Sequence, residues 1–282
     1  MLRLIILISF CISLLQSQNK NNLWCSTLRE DGLLVPLAYF NGAVWEDPGK
    51  YTSSIISAGM ENCFLWLDTG SSKRISIGSP VTIERFAEPP GVAFITNYCP
   101  RITATNIYPY PKVGIVLNQS ISFNKTKRID STDKSWRKIL DLLTITFNRK
   151  EFGNRIDSQA IARKHTRINV SLNKNVLPIN DSEHLYYYEL VKYYPEPECY
   201  SISKYEGWLL EGVNGLSILK EELSDGDCDG KGLSPTVRPT GSIFINNRLF
   251  IVSEIIPYEG EAWSILELKK DSIIDVTPLS QN

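Results

Sequence analysis

Two short strings in the 282-residue chain carry carboxylates at spacings that could do chemistry. Leu67-Asp68-Thr69-Gly70-Ser71-Ser72 sets one aspartate beside a glycine that lets the backbone turn tightly. A carboxylate so placed, facing a second one, could share a proton with it and activate water, one acting as base and the other as acid. Asp225-Gly226-Asp227-Cys228-Asp229-Gly230 alternates carboxylates with turn residues. Three hard oxygen donors converging around a sharp turn could hold calcium. The candidate catalytic residue is therefore Asp68, and the candidate metal ligands are Asp225, Asp227 and Asp229. A plainer reading fits both strings: each is a polar β-turn with Asp, Ser and Gly where turns favour them, and the second is pinned by a disulfide at Cys228.

The first string resembles the Asp-Thr-Gly-Ser-Ser signature of pepsin-like aspartic peptidases. The resemblance implies that Asp68 supplies one carboxylate of a catalytic pair. The chain has no second Asp-Thr-Gly or Asp-Ser-Gly, so the partner carboxylate would come from elsewhere, for instance from a second copy of the chain. Trp66 and Arg74 also depart from the small and apolar residues that the family places there. For the second string, the bidentate glutamate of an EF-hand would fall at Thr236, and strand-like runs border the loop instead of helices. A calcium turn of another type is what the sequence leaves open.

Other chemistries find little support. The two histidines are His165, in the basic run Arg163-Lys164-His165-Thr166-Arg167, and His184, in Asp181-Ser182-Glu183-His184. No Gly-x-Ser-x-Gly elbow, Cys-x-x-Cys pair or glycine-rich phosphate loop occurs, which argues against serine hydrolase, zinc-ribbon and nucleotide-dependent classes.

The elements that must position these residues read as strands. Leu33–Phe40 and Ala43–Trp45 flank Asn41-Gly42, a pair suited to a tight hairpin because positive φ is tolerated there. Gly241–Ile245 and Arg248–Val252 repeat the pattern around Asn246-Asn247. Tyr51–Ile56, Phe64–Leu67, Ile75–Ile77, Val81–Phe86, Val92–Asn97, Val113–Leu117, Ile121–Phe123, Leu185–Tyr194, Gly207–Leu210, Leu216–Leu219, Leu249–Ile256 and Trp263–Leu268 are further short β-prone runs between turn residues. Over Ser131–Asn148, Trp136, Ile139, Leu140, Leu143 and Phe147 fall at helical spacing, with Ser131 or Asp133 as cap and Gly153 beyond the end. The segment 148–180 is rich in Asn, Arg and Lys and reads as a connector. The expected fold is mainly β: an antiparallel sandwich, barrel or propeller-like array with one helix in a central basic insertion. Its expected parts are a leader at 1–17, a β-rich half at 18–123, the basic insertion at 124–180 and an acidic β-rich half at 181–282.

Arg3, the apolar run Leu4–Leu15 and small Ser17 read as a secretory signal cleaved before Gln18, and the apolar run is too short for a confident bilayer span. The expected location is secreted or periplasmic. A hydrophobic content of 43%, 22% charged residues and a net charge of −1 are globular values with no general pull toward nucleic acid or membrane. The charge is polarised: Lys125–Lys174 holds thirteen Lys/Arg against five Asp/Glu, and Asp181 to the end holds eight against eighteen. Two mutually attractive solvated faces explain this better than an anionic partner, since the basic segment has no dense run and few aromatics. Of the cysteines left after leader removal, Cys63 reads as a buried thiol in an apolar run, and Cys199–Cys228 is the preferred bridge. Asn118, Asn124, Asn169 and Asn180 stand in glycosylation sequons. Six tryptophans (Trp24, Trp45, Trp66, Trp136, Trp208, Trp263) serve either as core or as a sugar-stacking surface, with Trp45 and Trp263 the least certain core members. The leading expectation is a binding or structural module for an extracellular glycan or protein, without a cofactor other than calcium. The rival is a peptidase-like hydrolase using Asp68.

Overall fold

The computed structural model describes residues 22–66, 72–85, 88–98, 112–121, 123–154, 167–176, 183–195, 200–256, 262–270 and 272–278. The expected leader, Asp68, His165, Asn180, Cys99 and Cys199 lie outside them. The described chain is mainly antiparallel β and forms three sheets. It divides into two compact units: residues 1–123 with 244–248 and 276–282, and residues 124–243 with 249–275.

The first unit is built on β1 (Leu23–Arg29), β2 (Leu33–Phe40), β3 (Trp45–Glu46), α1 (Ser53–Gly59), β4 (Cys63–Trp66), β5 (Ser72–Ile75), β6 (Ile77–Arg85), β7 (Glu88–Thr96) and β8 (Lys112–Leu117). Their order is β5-β4-β8-β1-β2-β7-β6, with β3 beside β2. β2 alternates strictly, sending Leu34, Pro36, Ala38 and Phe40 inward, as a period of two requires when one face is covered. The core gathers Trp24, Leu28, Leu34, Ile56, Met60, Cys63, Leu65, Phe94 and Val116.

The run 51–56 was expected as a strand on its β-branched residues, and it is instead the start of a helix. The Thr52 hydroxyl accepts from the Ile55 N–H (3.5 Å) as an N-cap, and Ile56 and Met60 are buried in the core. The cap and the tertiary contact override residue propensity, which is only a weak prior.

The two asparagine turns differ. Asn246 (φ 52°) and Asn247 (φ 59°) both occupy the left-handed region, the two-residue connection anticipated there. Asn41-Gly42 is not such a turn. The Asn41 side chain accepts from the N–H groups of Ala43 (2.9 Å) and Val44 (3.0 Å), its own N–H reaches Val44 O (3.1 Å), and only Gly42 takes positive φ (96°). The result is a wider, side-chain-closed loop. Asn246 Nδ2 donates to the Gly42 carbonyl (3.1 Å), and the Arg248 guanidinium, 5.5 Å from the Phe40 ring centroid, donates to the Ala43 carbonyl.

The strand β9 (Phe123–Lys125) leads into the second unit. There β10 (Lys127–Ile129), α2 (Trp136–Asn154), β11 (Arg167–Val176), β12 (His184–Pro195), β13 (Tyr200–Gly212) and β14 (Gly215–Gly226) form a sheet of order β10-β11-β12-β13-β14 with one long helix. β15 (Thr236–Ile245), β16 (Arg248–Ile256), β17 (Ala262–Lys269) and β18 (Ser272–Asp275) complete the third sheet, ordered β18-β17-β16-β15-β9. The segment 167–176, expected as connector, is β11 and pairs with β12 along its whole length. Ile168, Val170 and Leu172 alternate through it, a period-two signal hidden among Asn and Lys.

α2 lies over the second sheet. Ile139, Leu143 and Phe147 meet Leu172, Tyr186, Tyr188, Leu190, Tyr205 and Leu209, and Phe147 stacks on Tyr205 with centroids 5.4 Å apart. Each such side chain taken from water contributes roughly 1.5–3 kcal/mol, enough to hold a helix that would be marginal alone. The helix starts at Trp136, later than either expected cap, and runs through Gly153.

Cys25 and Cys63 are buried, and Cys63 Sγ donates to the Met60 carbonyl (2.9 Å), which bears out the expected buried thiol at position 63. Burial pushes both thiols up from 9.0 to about 12. The nucleophilic thiolate is therefore suppressed. Alkylation of native protein at mildly alkaline pH should spare Cys25 and Cys63, and denaturant should expose both, as peptide mapping would show. Because the folded-state values lie above the unfolded ones, this part of the stability is complete below pH 9 and is lost as pH rises toward about 12.

Candidate functional site

The second sheet carries charged side chains in places that aromatic and aliphatic residues otherwise fill. β12 and β13 pair without interruption, so residues two apart share a face. Tyr186, Tyr188, Leu190, Lys192 and Tyr194 point toward α2. Tyr187 and Glu189 point the other way, and across the ladder Lys204, Glu206 and Trp208 join them.

On that second face Lys204 is 3% exposed. Its ammonium donates to the carbonyls of Ser234 (3.0 Å) and Pro235 (3.1 Å) and pairs with Glu206 (3.0 Å) and Glu189 (3.4 Å). Glu206 also accepts from the hydroxyls of Tyr187 and Ser234. Ser224 Oγ takes the Ser234 N–H (3.0 Å). Burial first, then the charge and hydrogen bond of Glu206, push the Tyr187 phenol far above its ordinary value, so it stays a donor. Each charge of the group has an opposite charge, and the most deeply buried two, Lys204 and Glu206, have further hydrogen bonds, the condition under which buried ions are tolerated. It fastens the loop after β14 onto the sheet.

At the start of α2, Glu211 accepts from Tyr186 (2.7 Å) and Ser135 (2.9 Å), and Lys138 lies 3.9 Å from its other oxygen. His184 stands opposite Glu211 in the ladder, and its buried Nδ1 has no hydrogen-bond partner. Ser135 gives its proton to the carboxylate, so it is not set up as a nucleophile activated by histidine, which would need the imidazole to accept that proton. Further along the helix, Glu221 holds Lys150 (2.8 Å) and the Tyr205 hydroxyl. Burial alone would raise the Glu221 carboxyl, but those two partners outweigh it and hold it below the ordinary 4.5.

At the far end of α2, Lys192 Nζ donates to Asn148 Oδ1 (2.7 Å) and to Glu151, and it lies 4.0 Å from the Phe147 ring centroid. Tyr194 donates to the other oxygen of Glu151 (2.6 Å). Lys192, Glu151 and Tyr194 are buried.

The residues singled out from sequence fall elsewhere. Asp225 is the last residue but one of β14, while Asp227 and Asp229 sit on the exposed loop after it. Asp227 Oδ1 accepts from the N–H groups of Asp229 (3.1 Å) and Lys231 (3.0 Å), and the Gly230 N–H reaches Asp227 O (2.9 Å). The aspartate closes the turn by itself, and a cation would compete with backbone donors for that oxygen. Among the described residues no three or more His, Cys, Asp or Glu side chains converge as a metal site. No tryptophan is freely exposed, and Trp45, least certain as a core member, is buried. Asn118 Oδ1 accepts the Trp24 N–H (2.8 Å) and its Nδ2 donates to Gly59 O (2.9 Å), so that sequon holds β1 to α1. Sequence reasoning missed Lys192, Lys204 and Glu206. The available signal was a charge at each inward position of strands otherwise made of Tyr, Leu and Trp.

No family model matches the chain, and neither a curated protein nor a solved structure does. No described helix is long and apolar enough to cross a membrane.

Proposed function

We infer that this is a secreted or periplasmic β module that binds an extracellular glycan or protein or serves as a structural element, and that it does no hydrolytic chemistry. One observation carries the reading. The buried ionisable groups of the second sheet are matched to one another, as Lys204 with Glu189, Glu206 and two carbonyls illustrates. A catalytic acid or base needs a proton affinity poised near the working pH and a free side facing substrate. Glu206, occupied on both oxygens by Lys204, Tyr187 and Ser234, leaves no free side for a substrate, and it serves instead to fix two long strands and a loop in one arrangement. Export rests on the leader-like start, Arg3 with Leu4–Leu15 and Ser17.

The test is directed at the peptidase alternative. Purified mature chain is incubated with a denatured protein substrate from acid to neutral pH, with and without pepstatin, beside an Asp68→Asn variant. The expected result is no cleavage by either protein. Pepstatin-sensitive acid proteolysis that Asp68→Asn abolishes would replace the module reading with a hydrolase.

A further inference from the structure

We propose that Lys192 and Asn148 join through an autocatalytic isopeptide bond, with Glu151 carrying the proton. Three independent features place an amine, a primary amide and a carboxyl together. Asn148 and Glu151 lie one helical turn apart on α2, so their side chains share a face. Lys192 comes from β12, 44 residues from Asn148 in sequence, and reaches both. Tyr194, two residues on and on the same face of the strand, holds the remaining oxygen of Glu151 (2.6 Å) and so aims the other at Lys192.

The amine is within range of the amide carbon. Nζ lies 2.7 Å from Asn148 Oδ1. With an ordinary carbonyl bond length and hydrogen-bond angle, the carbon is then about 3.5 Å from Nζ, within near-attack range. Rotation of the Asn148 amide about its terminal torsion, which is soft, turns the carbonyl face to the nitrogen. The surroundings favour the step. Phe147 and Tyr194 keep water off the Lys192–Glu151 pair. Asn148 is itself exposed, which gives the leaving group a path to solvent.

The step balances without a co-reactant. Glu151 takes a proton from the Lys192 ammonium, and the free Nζ lone pair attacks Cγ of Asn148. The tetrahedral centre collapses as the Cγ–Nδ2 bond breaks, and Glu151 returns the proton to Nδ2 while the second Nζ proton also passes to the departing group. The products are an Nζ–Cγ amide and ammonia, released as ammonium. No atom changes oxidation state. The bond ties α2 to β12 covalently across the sheet it covers.

The test is a tryptic map of the purified full chain, with intact mass. The expected product is lighter by one ammonia. Cyclisation of an N-terminal Gln18 would lose the same mass, so localisation decides. Trypsin will not cut after Lys192, and the map will contain a branched species joining Ile139–Arg149 to Asn175–Lys204. Lys192→Arg should remove the branch. Glu151→Gln should remove it while leaving the far-UV dichroism unchanged. Should that variant not fold, the wild-type map still decides. Cleavage after Lys192 with a separate, unshifted Ile139–Arg149 peptide overturns the proposal, as does deamidation of Asn148 beside an unmodified Lys192. A branch that persists in Glu151→Gln overturns the part given to Glu151.

Discussion

Lys204→Met should lower the folding free energy by about 3–5 kcal/mol, the usual penalty for removing one partner of a buried ion pair. The loss comes less from the missing lysine than from what it leaves behind. Glu206, 5% exposed, loses its near cation, and the Ser234 and Pro235 carbonyls lose their donor. Methionine matches the lysine stem in volume, so packing changes little and the electrostatic part is isolated. Glu206→Gln should cost less, because the amide oxygen still accepts from one of the two hydroxyls, Tyr187 or Ser234, the hydroxyl left facing the amide nitrogen can turn to accept from it, and Lys204 keeps Glu189 at 3.4 Å. The double variant Lys204→Met/Glu206→Gln should recover part of the single lysine loss, since the buried Glu206 carboxylate no longer stands uncompensated and only the partly exposed Glu189 has lost its cation. Urea unfolding of the four proteins closes the cycle. A Lys204→Met protein within 1 kcal/mol of wild type would mean that water reaches this network, and the module reading would lose its chief support.

Much of the fold is legible in the chain, for reasons that also explain the failures. Leu185–Tyr194 reads as strand because aromatic residues fill it. Its alternation is blurred because both faces are covered, one by α2 and the other by the loop after β14. α2 is legible from Trp136, Ile139, Leu143 and Phe147. Its end is not, because Glu151 is held there by Lys192, a residue 41 positions away. α1 is hidden because Thr52 can cap a helix or extend a strand, and only the burial of Ile56 and Met60 beside Trp24 decides. Most of the polar centres are illegible in principle. Motif spacing records neighbours along the chain, whereas Lys192–Asn148 and Ser135–Glu211 are brought together by strand register and helix placement. The one string with obvious spacing among the described residues, Asp225 to Gly230, largely serves its own turn.

Gly207→Ala is expected to be the most damaging single methyl in the second sheet. Its position on β13 faces α2 between Tyr188 and Glu221, its partners on either side. A Cβ there would stand 2.0 Å from the Lys220 carbonyl oxygen, 2.9 Å from the Glu221 Cα and 2.8 Å from the Tyr188 hydroxyl. Two of these three atoms are backbone and cannot swing aside as a flexible side chain would. The strands come this close because the ladder slips by one residue just beyond, between Trp208 and Leu209, as at a β-bulge. Relief would require β14 to part from β13 over the stretch that also positions Glu221 and Leu223 against α2. The expected cost is on the order of 3 kcal/mol or more, at or above the upper end of ordinary overpacking. Gly212→Ala is the control on the same strand: its Cβ would meet nothing nearer than a Glu183 side-chain oxygen at 3.6 Å. It should stay within about 0.5 kcal/mol of wild type. Thermal unfolding separates the two, and hydrogen exchange should show protection lost first along β13–β14 in Gly207→Ala. Equal melting temperatures for both variants would mean that the ladder is looser at Gly207 than this register allows, and the pairing of β14 would have to be redrawn.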